Sequence, residues 1–369
     1  MSEASFAASY WWRRSRAARQ RGLTLLALVF GASFLLSIAI GATDVGMAEA
    51  LAWLWSLLPV NGEAPASGAQ AVLLQIRLPR ALAAAAVGAA LGISGATVQG
   101  LFRNPLADPG LIGISGGASL AAVAAIVLGG SLHGLLPHVL RPFLLPLAAF
   151  AGSIVATLLV YRIAALRDDL GIAALRDDLG IAALLLAGIA INAIAMAGVG
   201  VFIFMSTDDQ LRSLNFWMLG SVGGTTWQTL LPALVLMLPA CLLLPRLARA
   251  LDLFSMGERQ AWLSGVDTNR LRRRAVILVA LAVGAAVAIS GTIGFIGLVV
   301  PHLVRLMLGP DHRGVLAGSA LLGAALLGGA DILARTLVVP AELPIGLVTA
   351  LVGGPFFLWL LLRRRGGAV

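Results

Sequence analysis

Two pairs of aspartates nine residues apart, Asp168-Asp169 and Asp177-Asp178, form the densest group of carboxylates in the chain. Oxygen ligands at that density suit a hard cation. The pairs belong, however, to a tandem copy. Residues 163–171 and 172–180 both read IAALRDDLG, and Ile181 begins a third IAAL. A short duplication in a solvated loop accounts for them, because loops absorb insertions at little entropic cost. His302, directly after Pro301, has a side chain that could ligate a metal, but packing or a structural hydrogen bond is the favoured role. His133 and His138 fall in a predicted outer loop with nothing to pair them with a cofactor. Asn192 lies inside an apolar run; polar side chains there face protein or a cavity, which makes it the candidate for a translocation pathway. The lone Cys241, also in an apolar run, excludes a disulfide framework and any cysteine-based metal cluster. No His/Glu metal motif and no nucleophile–base constellation occurs, so no metal site, cofactor or catalytic residue is expected in this chain. The 26 basic residues are all arginine. A phosphate-binding P-loop needs a lysine, so ATP hydrolysis by that route is excluded, and any ATP-driven motor must be another polypeptide.

The elements that would position these residues are membrane helices. Apolar residues make up 59% of the chain and charged residues 12%, whereas soluble domains have about 45–50% and 25%. The net charge of +9 does not indicate nucleic acid, since the arginines form no basic domain with interleaved aromatics. About 20 apolar residues cross a bilayer. That length places ten helices near 22–42, 80–102, 108–130, 143–162, 181–205, 228–248, 275–293, 295–308, 315–336 and 344–362. The first follows Arg13, Arg14, Arg16, Arg19 and Arg21 and is longer than the apolar region of a typical signal peptide. It is therefore read as the first span, with the N-terminus in the cytoplasm. An even number of crossings returns Arg363-Arg364-Arg365 to the same side. This topology puts 21 arginines inside and five outside (Arg77, Arg80, Arg141, Arg212 and Arg335), as the positive-inside bias requires. The expected fold is an all-α polytopic membrane protein. A tail over 1–21 precedes a ten-helix domain over 22–365, and residues 366–369 trail it.

An internal repeat refines the architecture. Residues 87–105 (VGAALGISGATVQGLFRNP) and 283–301 (VGAAVAISGTIGFIGLVVP) agree at eight of nineteen positions. Five predicted helices separate the copies, so they run in opposite directions. An inverted five-helix repeat, with helices 2–5 matching 7–10, is a transporter architecture in which a pathway between halves opens alternately to either side. An ion-coupled secondary transporter would share that feature, but it needs membrane-embedded acids as relays. Asp108 and Asp331 sit near helix ends instead. A membrane enzyme is a third possibility, without a catalytic constellation to support it.

Two hydrophilic segments stand out. In residues 99–117 (QGLFRNPLADPGLIGISGG), Arg103 and Asn104 end one helix and Pro105 and Pro109 break the chain. Asp108, between the prolines, can cap the next helix. Residues 251–274 form an amphipathic stretch broken at Gly257 and Gly265, read as two short helices outside the membrane. Met256, Trp262 and Leu263 there need an apolar partner.

With GFIGLVVPHLVRLMLGPDHR (294–313) and AELPIGLVTALVGGPFFLWLL (341–361), the 99–117 segment resembles the iron-complex, haem and vitamin B12 importer permeases, the membrane subunits of type II ATP-binding-cassette importers. The likeness runs from about residue 73 to 365. It implies a homodimer of ten-helix subunits in a bacterial inner membrane, two cytoplasmic ATPases that bind ATP and Mg, and a periplasmic binding protein. It assigns 251–274 to ATPase coupling, with Gly257, Glu258 and Gly265 shaping the segment and Met256 and Leu263 anchoring it. It also gives Arg77, Arg80 and Arg335 to binding-protein docking. The Pro301-His302 pair belongs to the pattern of the whole family, including members without haem. Residues 208–227 (DDQLRSLNFWMLGSVGGTTW) are similar in particular to haem permeases. Haem is therefore the expected cargo, with a ferric siderophore or cobalamin as the alternative.

Overall fold

The computed structural model describes residues 16–41, 67–133, 137–169 and 179–365, which are helical with no strand among them. Residues 172–178 of the second tandem copy, with Asp177 and Asp178, lie outside the described residues, as do residues 1–15 and 366–369. The helices are α1 (Arg16–Ala39), α2 (Ser67–Val72), α3 (Leu78–Leu101), α4 (Ile114–His133), α5 (Leu144–Asp169), α6 (Leu179–Phe204), α7 (Asp208–Leu219), α8 (Trp227–Leu243), α9 (Ala248–Ser255), α10 (Glu258–Leu263), α11 (Thr268–Ser290), α12 (Ile296–Leu308), α13 (His312–Thr336) and α14 (Ile345–Arg365). A π-helical turn, Leu73–Arg77, joins α2 to α3 without a break.

Among the described residues, seven helical stretches are long and apolar enough to cross a membrane: α1, α2–α3, α5, α6, α8–α9, α11 and α13. The shorter apolar helices α4, α12 and α14 complete the ten expected segments. Three details differ from the sequence expectation. Helix α11 begins at Thr268 rather than near 275, because the Asp267 carboxylate accepts a hydrogen bond from the Arg270 N–H at 2.9 Å and caps an arginine-rich first turn. The second span also starts earlier, at Ser67, through the π-helical turn. The unexpected helix is α7, started by a capping box of Thr207 and Gln210.

Side-chain neighbours fix the directions of the spans. Gly88 faces Gly323, Gly92 faces Ser319 and Gly100 faces His312, so α3 and α13 are antiparallel. Helix α1 runs parallel to α13, with Ser33 donating to the Ala325 carbonyl and Ser37 beside Arg335. Gly117 meets Gly152 and Gly113 meets Val160, which makes α4 and α5 antiparallel. These are the directions of alternating crossings. One set of ends carries Arg19, Arg103, Arg249, Arg305 and Arg313, here termed the arginine-rich end; the opposite end carries Arg77, Arg80 and Arg335.

Helices α3, α11 and α13 are the most enclosed spans. Their small residues are the reason. Lipid gives apolar helices little incentive to associate, so close backbone packing must supply the attraction. A methyl group on Gly88 would overlap the Gly323 carbonyl, and one on Gly95 would overlap that of Gly297. Gly88→Val should therefore lower the thermal-unfolding midpoint in detergent by an amount equivalent to about 1–3 kcal/mol, the usual cost of overpacking. Gly31→Val, with nothing within 4 Å of the added carbon, should leave the midpoint nearly unchanged. Equal midpoints for the two variants would contradict backbone-to-backbone packing of α3 on α13.

Candidate functional site

At the arginine-rich end, the turn between α3 and α4 is built as its sequence suggests. Arg103 takes a left-handed backbone conformation, φ 49°, and its guanidinium lies 5.6 Å from the centre of the Phe254 ring on α9. Asn104 accepts from the Leu106 N–H at 2.9 Å through its side-chain oxygen. Pro105 is exposed. Asp108 caps the short turn Pro109–Ile112 by accepting from the Gly110 N–H at 2.8 Å. Burial pushes the Asp108 carboxyl above the usual carboxylate range, and the Gly110 hydrogen bond opposes the shift. Asn192 donates to the Gly110 carbonyl at 2.9 Å and packs against Gly116. The pathway candidate is thus a tie between α6 and this turn.

The two short helices expected over 251–274 are α9, α10 and the first turn of α11. Between the first two, Gly257 adopts φ 128° and ψ 143°, and Gly265 after α10 has φ 83°. Side chains other than hydrogen are disfavoured at such angles. The segment has two faces. Leu251, Phe254 and Ala261 are buried against the bundle, while Met256, Trp262 and Leu263 are each about two-thirds exposed. Glu258 pairs with Arg272 at 2.9 Å, which braces α10 against α11. An apolar rim of this kind, held on a fixed base, suits the docking of another protein.

The opposite end holds three of the five outlying arginines, the ones expected to dock a binding protein. All are buried: Arg77 is 2% exposed, Arg80 6% and Arg335 3%. Arg77 donates to the carbonyls of Ile38 and Ala39 at the end of α1, at 3.1 and 2.9 Å. Those carbonyls lack helical partners, which explains why a cation is placed there. Arg80 binds Asp331 through Nε at 2.9 Å and Glu342 through both terminal nitrogens at 2.8 and 3.0 Å. Arg335 donates to the Ser37 carbonyl and hydroxyl at 2.7 and 2.9 Å, with Asp331 3.4 Å away. The i,i+4 pairing of Asp331 with Arg335 was legible in the sequence. What the sequence did not show is that these guanidinium groups face inward in the isolated subunit and tie helix ends together.

A second feature at this end was not anticipated. Both repeat copies carry Ile-Ser-Gly, but α3 continues through Gly95 while α11 stops at Ser290. Residues 291–295 are unwound, with Phe295 at φ 68°. Neighbouring segments pack onto the break. The Ser221 N–H donates to the Ser290 carbonyl at 2.7 Å, the Ile345 N–H to the Gly220 carbonyl at 2.9 Å, and the Thr292 hydroxyl to the Met218 carbonyl. Gly220, Gly291 and Gly346 allow the close approach. The haem-permease-like LGS segment therefore docks on a broken span. Unwound backbone at membrane depth is tolerated where protein encloses it or a cavity adjoins it, and such breaks mark substrate pathways in transporters. His302, midway along α12, packs edge-on against Phe356 of α14, with ring centres 6.4 Å apart.

The model of the FecCD transport family matches residues 26–363. This chain belongs to that family. A hemin transport system permease protein of Yersinia pestis is 49% identical over 294 residues, covering 80% of this chain and 84% of that protein. A vitamin B12 import system permease protein of Klebsiella pneumoniae is 41% identical over 345 residues, covering 94% and 93%. A solved metal-chelate type ABC transporter in an inward-facing conformation shares 31% identity and a TM-score of 0.75, covering 92% of this chain and 98% of that one. As a FecCD member the chain is the multi-pass permease subunit of a type II ABC importer. It is a transport subunit and not an enzyme; the ATPase is a separate chain, and the family works with ATPase and binding-protein partners.

Because the outlying guanidinium groups of this FecCD permease are engaged internally, Arg77→Glu, Arg80→Glu and Arg335→Glu should each destabilise the isolated subunit. The loss of one partner from a buried pair costs about 3–5 kcal/mol. Thermal unfolding in detergent without any binding protein reads this directly, and unchanged midpoints in all three would show outward-facing, unengaged side chains.

Proposed function

We propose that this permease carries haem from a periplasmic binding protein to the cytoplasm of a bacterium, as a homodimer in the inner membrane driven by two ATPase subunits. The observation that carries haem over the alternatives is the 49% identity to a hemin permease, against 41% to a vitamin B12 permease. The 208–227 segment supports it, since its LGS portion packs against the broken span rather than lying in a free loop. Cobalamin is the second reading, favoured by the longer alignment of the B12 relative, 94% of this chain.

The 21-to-5 arginine distribution supports a cytoplasmic assignment for the arginine-rich end and both termini. On that assignment Met256, Trp262 and Leu263 face the ATPase, and Gly257 and Gly265 set the bend that presents them. ATP and Mg are bound by the ATPase, and this chain holds no cofactor of its own. Homodimer formation would cover apolar surface on α6 and α14, where Ile194 and Val352 are about two-thirds exposed. A binding protein docking at the opposite end would first meet Glu342, 41% exposed at its side chain. Its carboxylates would reach Arg80 by exchange with that residue.

Reconstitution with the cognate ATPase and binding protein tests the reading. Haem-loaded binding protein should stimulate ATP hydrolysis and uptake several-fold over cobalamin- or siderophore-loaded protein. Gly257→Val should abolish the stimulation while the permease still folds. Preferential stimulation by cobalamin or a ferric siderophore would overturn the haem assignment, and wild-type coupling in Gly257→Val would remove the α9–α10 bend from the mechanism.

A further inference from the structure

A cavity of about 730 Å³ opens at the arginine-rich end, between the ends of α1, α3, α12 and α13 and the side of α9. Five arginines from five separate segments line it: Arg19, Arg103, Arg249, Arg305 and Arg313. The carboxylates facing them are Asp252 and Asp311. Both are already engaged. Asp311 pairs with Arg19 and accepts from the Arg313 backbone N–H at 2.8 Å. Asp252 accepts from the His312 backbone N–H at 3.0 Å and lies 2.6 Å from the same residue's ring nitrogen. Arg103 stacks on Phe254. Arg305 donates to the neutral side-chain oxygen of Gln99. Among the described residues, Arg249, Arg305 and Arg313 have no carboxylate within ion-pair distance. An excess of guanidinium groups around a concave site attracts an anion, and their planar forks match phosphate oxygens in particular.

We propose that this cavity is a binding site for the phosphate of an anionic phospholipid headgroup from the cytoplasmic leaflet. The inference rests on the cytoplasmic assignment of this end. Phosphate is the chemistry that several converging forks recognise. A lipid is the source because the lining residues sit where spans α1, α3, α12 and α13 end, at headgroup depth. The lipid would bridge α9, which leads into the bend at Gly257, to the bundle. Headgroup binding would thus steady the base from which the coupling segment projects.

The full-length subunit is delipidated in detergent and examined by native mass spectrometry with three probes: phosphatidylglycerol, phosphatidylcholine of the same acyl chains, and inorganic phosphate. The expected result is retention of phosphatidylglycerol at least tenfold more tightly than phosphatidylcholine. Arg249→Gln/Arg313→Gln, which alters exposed side chains only, should weaken that retention at least tenfold with an unchanged melting midpoint. Arg305→Gln should also weaken that retention at least tenfold. Equal retention of the two lipids, or retention unaffected by either variant, would overturn the proposal. Arginine-dependent binding of inorganic phosphate without retention of phosphatidylglycerol would overturn the lipid source. Displacement of the lipid by the ATPase, with the double variant losing ATPase binding instead, would assign the cavity to that subunit's acidic groups and also overturn it. Labelling of Met256→Cys from the outside only would refute the cytoplasmic assignment, independently of whether lipid is retained.

Discussion

Asp331 is a carboxylate with no exposed surface, placed on a membrane-spanning helix between the guanidinium groups of Arg80 and Arg335. An ionised carboxylate removed from water is costly unless paired and hydrogen-bonded. That constraint organises one end of the molecule. Satisfying Asp331 brings Arg80 of α3 against α13, and the rest of the Arg80 fork reaches Glu342 before α14. Arg335 extends the chain of contacts to Ser37 near the end of α1, and Arg77 holds the last carbonyls of α1. Four segments distant in sequence are thereby fixed at one level. Three of the five arginines that violate the topological bias, Arg77, Arg80 and Arg335, have an internal role, since each is part of a structure that would otherwise leave polar groups unsatisfied.

The two ends consequently differ in character. At the Asp331 end, polar side chains point inward and the broken span at 291–295 is enclosed by the 218–221 and 345–346 backbone. At the other, Met256, Trp262 and Leu263 point outward from a bend fixed by glycine, and arginines surround an open cavity. Glycine-to-carbonyl packing of α3 on α13 connects the two. A permease that couples a binding protein on one side to an ATPase on the other needs such a transmitting element, because small shifts pass through close-packed helices without being absorbed.

Most of the helical framework was legible in the sequence, because apolar length and arginine distribution are direct consequences of the bilayer. The bent α9–α10 segment was legible for a related reason: Met256, Trp262 and Leu263 are apolar residues in a hydrophilic stretch, and Gly257 and Gly265 break its helical period. Asp108 as a cap followed from its place before Pro109. The inward direction of Arg77, Arg80 and Arg335 was not legible, since a single sequence shows which residues lie near a helix end but not what lies across from them. Only the four-residue spacing of Asp331 and Arg335 hinted at pairing. The break at Gly291 was hidden by the repeat itself. Identical Ile-Ser-Gly triplets suggested identical helices, yet Thr292, Ile293 and Gly294 are poorer helix formers than the residues that follow Gly95. The bond from Asn192 to the Gly110 carbonyl was not legible, because that acceptor lies 82 positions away in the chain.

The Arg80–Asp331 pair holds the spans together and is not an incidental contact between helix ends. A double-mutant cycle measures this most directly, using Arg80→Met, Asp331→Leu and the combined variant in equilibrium unfolding of the detergent-solubilised subunit. Each single change should be strongly destabilising, and the double variant should recover part of the loss, with a coupling energy of about 1 kcal/mol or more. Strictly additive effects, with no coupling between the two positions, would contradict it.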